Sequence, residues 1–441
     1  MPLVTPAHAF STRFLLSVAI TAATAVPAVV TIAAPAQSTT ASRSVAAPFQ
    51  PCPIVKVARP PISPSPMPTR PPGRPIIGGD SLGTDGLVVA PGSPPLPKVL
   101  SATSWLVADL DTGDVLGACA PHAPGAPASL QKLLLALTVL PKLDPKQEVT
   151  VTAEDMNFEP GSSAVGLLTG GKYTVETLWL GLLLNSGNDA ANVLARLGGG
   201  DEGVAGTLRE MNETAAWLGA LDTHAETPHG LDGPGQATSA YDLALIARAL
   251  FDREDFRRYA ATRTADIPAQ PHLDLPKSRT RGFQIQNDNR LLTEYPGALG
   301  GKTGFTDIAR HTFVGAAERD GRRLVVTLLG AEHRPVRTWE QAAALLDWGF
   351  ATAPGSSVGK LVEPGEAERL LAAALATPSP SVAALAPAAQ EQHDQVGSRS
   401  GLLVAAAVAA VLFLAVWTTV LVRLRRRSRR RSLGTPPLGS R

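Results

Sequence analysis

The run Pro127-Ala-Ser129-Leu-Gln-Lys132-Leu-Leu-Leu-Ala-Leu-Thr-Val-Leu-Pro141 decides the fold of the central part of this chain. Between its two prolines, residues 130–140 are apolar on almost every side, which is typical of a helix buried in a protein core. Ser129 stands at the start of this predicted helix, and Lys132 follows one turn later on the same face. The sequence therefore predicts a buried helix that brings a hydroxyl and an amine together.

A serine hydroxyl is a weak nucleophile and needs a neighbouring base. Lys132 can act as that base only when it is neutral, and burial beside the positive end of a helix lowers the pKa of an amine. The helix start also directs backbone N–H groups outward, where one can hold an oxyanion. We expect Ser129 to be a nucleophile and Lys132 its base. The plain alternative is a serine that caps the helix and a lysine that reaches solvent.

A second polar segment, Ser186-Gly-Asn188, lies between two apolar stretches that are predicted helices, 177–184 and 190–197. It can be a turn that ends one helix and caps the next. As part of a site, Ser186 would relay a proton towards a leaving amine, and Asn188 would hydrogen-bond a substrate amide. We expect these two residues on a second wall of a cleft.

A third segment, Gly300-Gly-Lys302-Thr303-Gly304-Phe305-Thr306, is predicted to be an edge strand whose small residues let a peptide lie close to the backbone. Lys302 supplies positive charge for a substrate carboxylate, and the Thr303 hydroxyl supplies a directed hydrogen bond. The N–H of Phe305 can complete an oxyanion hole with the N–H of the nucleophile.

The fold class follows from the order of the predicted elements. Strands are expected at both ends of the central region and helices between them, which indicates an α+β fold, an antiparallel sheet with a helical cluster. The folded domain is expected over residues 98–355, long enough for one sizeable core. The strands are predicted at 104–109, 114–118, 312–317 and 324–329, and further helices at 205–218, 240–251 and 338–348, the last of the domain.

The two ends of the chain are typical of an exported, anchored protein. Residues 1–36 resemble a secretory signal peptide, or an uncleaved anchor, and residues 37–97 a Pro-rich extracytoplasmic linker. Residues 356–400 are predicted to be an Ala/Pro-rich stalk. The uncharged residues 401–422 would reach about 33 Å as a helix, enough to span a bilayer core. The basic tail 423–441 then places the C-terminus in the cytoplasm by the positive-inside rule.

The net charge of +2 averages over these segments. Without the eight arginines of residues 423–441 and without Arg13, 31 basic residues remain against 38 acidic ones, a net charge of about −7. An acidic domain without a basic stripe does not favour nucleic acid, so no nucleic-acid partner is expected.

The two cysteines, Cys52 and Cys119, would lie on the oxidising side of a membrane. They can form a disulfide or remain two free thiols, and the sequence leaves both open.

Four further polar residues have plain interpretations. His229 and His311 lack the spacing of metal ligands and are expected to be structural. Asp242 follows Ser239 by three residues, which predicts a helix cap. Arg310 can meet a substrate carboxylate or be an exposed arginine at a strand end. No metal motif and no cofactor-binding motif is found, and no cofactor is expected.

The three motifs S-x-x-K, S-x-N and K-T-G, in this order, resemble those of D-alanyl-D-alanine carboxypeptidases in the low-molecular-mass penicillin-binding protein group. Further similarity lies in Pro127-Ala-Ser129, Ser186-Gly-Asn-Asp-Ala-Ala191, Pro228-His-Gly-Leu231 and Tyr295-Pro-Gly-Ala298. The resemblance implies a fold like that of DD-peptidases and β-lactamases.

The same resemblance implies removal of the terminal D-Ala from peptidoglycan stem peptides through an acyl-serine, with β-lactams as covalent inhibitors. The catalytic domain would lie outside a bacterial cell membrane on a single span. Two alternatives remain, a β-lactamase and a catalytically silent wall-binding protein. The first is disfavoured because no E-x-x-L-N segment lies between Asn188 and Lys302, and the second because the motif residues are intact.

Overall fold

The computed structural model describes residues 49–61, 68, 71, 73–271 and 280–376. The strands are β1 (Leu87–Val89), β2 (Ser104–Asp109), β3 (Asp114–Cys119), β4 (Glu148–Thr150), β5 (Lys172–Thr174), β6 (Thr264–Ile267), β7 (Phe283–Gln286), β8 (Ala298–Thr306), β9 (Arg310–Arg319), β10 (Arg322–Ala331) and β11 (Gly359–Lys360). The helices are α1 (Gln131–Val139), α2 (Val175–Leu184), α3 (Asn188–Gly198), α4 (Gly203–Leu218), α5 (Ala240–Phe251), α6 (Glu254–Ala260), α7 (Leu291–Glu294), α8 (Thr338–Ala351) and α9 (Glu366–Ala376).

One antiparallel sheet organises the fold. Its strands follow the order β1-β3-β2-β10-β9-β8, and β11 pairs with β3 at Asp114 and Val115, beyond the residues of β3 that pair with β1. The two predicted hairpins, β2 with β3 and β9 with β10, are present and lie next to each other through the pairing of β2 with β10. The predicted α+β class is therefore confirmed, and β8 lies at an edge as expected.

The sheet has a hydrophobic core on each face. Successive residues of β10 point to opposite sides, because side chains alternate along a strand. Val325 packs into the core that holds α1 to α6, whereas Leu324 and Val326 pack into a second core with α8. In that second core the rings of Trp105 and Trp348 meet edge to face, with centroids 6.3 Å apart.

Segments outside 98–355 also belong to this folded unit. β1 extends the sheet, the backbone N–H of Leu87 donates to Gln50 O at 2.7 Å, and Cys52 forms a disulfide with Cys119 across 5.7 Å between Cα atoms. The prediction of an extended tether is wrong for this part of 37–97. A high proline content suggests a chain without backbone pairing. The residues between these prolines nevertheless form backbone hydrogen bonds, which composition does not reveal.

The predicted stalk contains structure too. β11 and α9 both lie beyond residue 355, so 338–348 is not the last helix. A strand of two residues is too short to give any periodic pattern, which explains why the sequence did not reveal it.

Among the described residues, no helix is both long and apolar enough to cross a membrane. The predicted signal peptide, the predicted span 401–422 and the basic tail 423–441 lie outside those residues.

Candidate active site

The nucleophile candidate lies at the start of α1. Ser129 is in a single 3-10 turn, Ala128–Leu130, which runs directly into the helix. Ala128 has a φ of 48°, an unfavourable value for a residue with a Cβ, and such strain is common at functional turns. The hydroxyl of Thr312 on β9 donates to Pro127 O at 3.0 Å and ties this turn to the sheet.

Lys132 is fully buried and its amine meets three oxygens. Its Nζ lies 3.0 Å from Ser129 Oγ, 2.7 Å from Asn188 Oδ1 and 2.8 Å from the backbone O of His229. None of these acceptors is a carboxylate. The amine is thus positioned against the hydroxyl by neutral groups, which do not stabilise its charge as a carboxylate would.

The electrostatics favour a neutral amine. Burial, first, and then the positive charge of Lys302 hold the pKa of Lys132 well below its ordinary value, against an opposing effect of Asp189. A lysine that loses its proton this readily can accept the proton of Ser129. The sequence-predicted pair of nucleophile and base therefore has suitable geometry and suitable charge.

Ser186 and Asn188 form the second wall, as expected. Asn188 joins Lys132 by its Oδ1, and its Nδ2 donates to Ser162 Oγ at 2.9 Å. The Ser186 hydroxyl is buried, lines the cleft and has no hydrogen-bond partner among the described residues. The φ of Ser186 is 67°, which again marks a strained backbone. Its hydroxyl is thus free to hydrogen-bond a group that enters the cleft.

The third wall is the edge strand β8. Lys302 is buried and donates to Thr303 O at 2.8 Å. Burial lowers the pKa of Lys302 to about 8, and the charge of Asp288 opposes this shift. Thr303, Gly304 and Phe305 line the cleft.

Gly304 lets this strand approach the nucleophile. A Cβ at this position would lie 2.9 Å from the backbone N of Ser129, closer than real Cβ atoms come to other atoms. The edge of β8 therefore passes directly beside the start of α1. Because the two backbones are in contact, N–H groups from both can face one reacting carbonyl.

The cleft between these walls has a volume of about 470 Å³, within the range of ordinary ligand sites. Ser129, Ser186 and Asn188 line it together with Thr303, Gly304 and Phe305. Lys132 and Lys302 stand behind this surface, fully or almost fully buried. All eight predicted site residues are thus in one place.

Three of the four plainly interpreted residues have clear structural contacts. The His229 side chain is buried, and burial followed by the charge of Lys132 lowers its pKa to about 3, so it stays neutral. His311 stacks between Phe305 and His333 at the cleft, with ring centroids 4.6 and 3.4 Å away. Ser239 caps α5 by accepting from the N–H of Asp242, as the pattern predicts.

Arg310 corrects the prediction of an exposed side chain. It lies at the start of β9, and its guanidinium binds both oxygens of Glu332, at 2.9 and 3.1 Å. The arginine side chain is only 13% exposed. Its partner directly follows β10, so the pairing depends on sheet closure and not on local sequence.

Three contributors to the site were not predicted from the sequence. The backbone carbonyl of His229 carries no side-chain signal, so its bond to Lys132 could not be foreseen. Ser162 lies in a loop without a motif. Asp189 is buried, and its position directly after the second motif was the one signal that the sequence offered.

Comparison with known proteins agrees with this geometry. The D-alanyl-D-alanine carboxypeptidase family matches residues 91–333. D-alanyl-D-alanine carboxypeptidase DacB2 of Mycobacterium tuberculosis is 46% identical over 282 residues, which cover 63% of this chain and 91% of that protein. DacD of Escherichia coli, also a D-alanyl-D-alanine carboxypeptidase, is 37% identical over 58% of this chain and 64% of its own length.

Solved structures give the same result. A D-alanyl-D-alanine carboxypeptidase from Mycobacterium tuberculosis has a TM-score of 0.56 and 44% identity, over 62% of this chain and 99% of that one. The Streptomyces K15 DD-transpeptidase has a TM-score of 0.55 and 28% identity, over 59% of this chain and all of that one. With the motifs, the cleft and these matches together, the chain belongs to the D-alanyl-D-alanine carboxypeptidase family of serine peptidases.

Proposed function

We propose that this enzyme is a membrane-anchored carboxypeptidase that removes the terminal D-Ala from peptidoglycan stem peptides through an acyl-serine at Ser129. One observation carries the proposal. The buried amine of Lys132 lies 3.0 Å from Ser129 Oγ, in a cleft whose opposite wall is an edge strand.

Acylation begins with proton transfer from the Ser129 hydroxyl to the neutral amine of Lys132. The serine oxygen attacks the carbonyl carbon of the D-Ala-D-Ala bond, and a tetrahedral oxyanion forms. The N–H groups of Ser129 and Phe305 would stabilise this charge, since Gly304 brings the two backbones into contact.

The substrate would lie along β8 as an added strand. Lys302 supplies positive charge for the terminal carboxylate, and the Thr303 hydroxyl supplies a hydrogen bond to it. Asn188 would bind a substrate amide on the opposite wall. These contacts place the scissile carbonyl at Ser129.

Collapse of the intermediate breaks the C–N bond. The proton held by Lys132 passes through the unpartnered hydroxyl of Ser186 to the leaving amine, and D-Ala departs. Water then attacks the ester, gives its proton to the neutral Lys132, and the released serine recovers a proton. Atoms and charges balance over the two steps, with no cofactor.

Fluorescent penicillin tests the nucleophile. We expect one covalent label at Ser129, and the folded Ser129→Ala variant should lose the label and lose D-Ala release by roughly 10³-fold or more. A label that persists on another residue would disprove the assignment of Ser129.

The fate of the acyl-enzyme separates this function from that of a β-lactamase. D-Ala diffuses away after peptide cleavage, whereas an opened β-lactam remains attached and shields its ester from water. We therefore expect a burst of labelling and slow release with penicillin, but repeated turnover with an acyl-D-Ala-D-Ala peptide. Rapid multiple turnover of penicillin without D-Ala release would favour a β-lactamase.

Export and anchoring are the second part of the proposal. They are supported by the uncharged residues 401–422 and by the arginines that follow. Protease added to intact protoplasts should remove the catalytic domain and spare a tag placed after Arg441. Loss of the tag would reverse the proposed orientation.

A further inference from the structure

A buried carboxylate clamps one loop of the cleft. Asp189, the second residue of α3, is completely buried. Its Oδ1 accepts from the N–H of Val165, and its Oδ2 accepts from the N–H groups of Gly166 and Leu167, all at 2.9 Å. Three successive backbone donors thus end on one side chain, so the path of this loop depends on it.

Packing holds the same loop from the other side. A Cβ at Gly181 would lie 2.5 Å from Val165 Cγ2, and one at Gly187 would also collide with the Val165 side chain. Both glycines therefore provide the space that Val165 occupies. The loop is fixed against the end of α2 and the start of α3 by apolar contact as well as by hydrogen bonds.

The loop reaches the base through Asn188. The Ser162 hydroxyl accepts from Asn188 Nδ2, and the carbonyl of Ser163 accepts from the Asn188 N–H, each at 2.9 Å. Because the amide nitrogen is committed to Ser162, the amide oxygen must face the other way, towards Lys132. The loop thereby determines which end of the amide meets the amine.

We propose that Asp189 is a positioning residue for acyl transfer: it clamps residues 165–167 so that Ser162 orients Asn188, which holds the Lys132 amine against Ser129. This inference rests on the proposed roles of Ser129 and Lys132. Asp189 itself touches no reacting atom.

Charge gives Asp189 a second effect that a purely structural residue would lack. The ionisable groups that act on Lys132 are Lys302 from β8 and Asp189 from α3, and the neutral His229 lies beside it. Burial and Lys302 lower the pKa of Lys132, and Asp189 opposes them. Removal of this carboxylate should lower the pKa of Lys132 further, so the neutral base persists to lower pH.

The Asp189→Asn variant tests the proposal in the full chain. We expect the rate of acylation by penicillin at Ser129 to fall by up to about 100-fold, because small displacements of reacting groups cost this much. With an acyl-D-Ala-D-Ala peptide, kcat should fall more than KM rises, and the acid limb of the pH profile should move to lower pH.

The matched control is Asp155→Asn. Asp155 is also a buried carboxylate that binds α3, through Arg196, but it lies outside the cleft lining. This variant should lose stability while its acylation rate and pH profile stay unchanged. If both variants slow acylation equally with unchanged pH limbs, general destabilisation explains the effect and the proposal fails.

The Ser162→Ala variant tests the connection without removing a charge. It should slow acylation with no shift of the acid limb, and in combination with Asp189→Asn the losses should be clearly less than additive. It also keeps the proposal testable if Asp189→Asn does not fold. If the wild type is labelled at Ser129 and Ser162→Ala is acylated at the same rate, this inference fails and the proposed function stands. If the wild type is not labelled at all, the proposed function fails.

Discussion

Two buried clusters of ionisable side chains, one around Lys132 and one around Asp222, differ in how their charge is balanced. Among the residues that the structure describes, the Lys132 amine meets only neutral oxygens within hydrogen-bond distance. Asp222, by contrast, pairs with the guanidinium of Arg74 and lies 2.7 Å from the ring nitrogen of His122. Burial without a counter-charge makes a base, and burial with counter-charges makes a structural ion pair.

The pKa directions follow this difference. Burial, and then the charge of Lys302, lower the pKa of Lys132, and its hydrogen-bond partners among the described residues are neutral. Burial alone would raise the pKa of Asp222, but the hydrogen bond and charge of His122, together with Arg74, outweigh it and lower this pKa. The contacts of each group, more than its depth, decide whether it stays charged.

The largest expected effect comes from replacing the base with a permanent cation. Lys132→Arg puts a permanent positive charge in the first cluster, because a guanidinium does not give up its proton in proteins. We expect D-Ala release to fall by roughly 10³-fold, since base catalysis commonly supplies 10² to 10⁴.

Lys142→Arg is the matched control, at a partly exposed lysine just after α1 that pairs with Glu210. Steady-state kinetics should show unchanged turnover for this variant. Substantial activity in folded Lys132→Arg would mean that a neutral amine is not required.

A negative charge added beside Lys132 should keep its amine charged, as the counter-charges around Asp222 keep that carboxylate charged. Asn188→Asp would place a carboxylate where the amide oxygen now lies, 2.7 Å from Lys132 Nζ. Such a neighbour favours the charged amine and should raise the pKa of Lys132, so the acid limb of kcat/KM should move up by about 1 to 3 pH units.

The pH profile separates this effect from simple loss of a substrate contact. Asn188→Ala removes the same amide without adding charge and should lower activity without an upward shift of the acid limb. An unshifted limb in Asn188→Asp would contradict the neutral environment proposed for the base.

The third expectation concerns Lys302, a buried cation that must stay charged to bind a carboxylate. Its pKa is lowered to about 8, first by burial. Above this pH the amine loses its proton, so kcat/KM for acyl-D-Ala-D-Ala should fall about tenfold for each further pH unit. A substrate with an amidated C-terminus should lack this basic limb. A flat pH profile up to pH 10 with the substrate that keeps its C-terminal carboxylate would exclude carboxylate binding by Lys302.

The smallest expected effect on turnover comes from the second cluster. Asp222→Asn removes one partner of a buried ion pair, and the free energy of unfolding should fall by about 3 to 5 kcal/mol. Because the folded pKa of Asp222 is lowered, its stabilisation is present above the unfolded pKa of about 4 and is lost as pH falls below it.

Urea unfolding at neutral and acidic pH measures this change. Asp307→Asn, at a carboxylate that is 93% exposed, is the control and should leave stability nearly unaltered. A large loss of kcat in Asp222→Asn at temperatures where it remains folded would show that the two clusters are not independent.

The elements that the sequence predicted well are those with local signals. The prediction of 240–251 matches α5 at both ends, and the buried helix after Ser129 is present with its apolar residues in the core. Predicted strands 312–317 and 324–329 are shorter than β9 and β10, because each of these strands starts with two polar residues and β9 also ends in two exposed polar residues. Periodicity detects the buried part of an element, and hydrogen bonds extend it further.

The parts that were missed have partners far away in the chain. The sequence leaves two states open for Cys52, a disulfide and a free thiol, because nothing local indicates whether Cys119 comes near. The exposed interpretation of Arg310 is wrong because Glu332, which follows β10, pairs with its guanidinium. Only closure of the sheet brings these groups together.

The sequence by itself determined which chemical groups the site contains: a serine and lysine one helical turn apart, a polar turn, and a glycine-flanked lysine strand. Tertiary structure alone decided how those groups are charged and held. Lys132 meets Asn188 across 56 residues and the carbonyl of His229 across 97, and both contacts are neutral. A local pattern reports which face of an element is buried, but the pKa of a buried amine depends on every group around it, and those groups are gathered only by the fold.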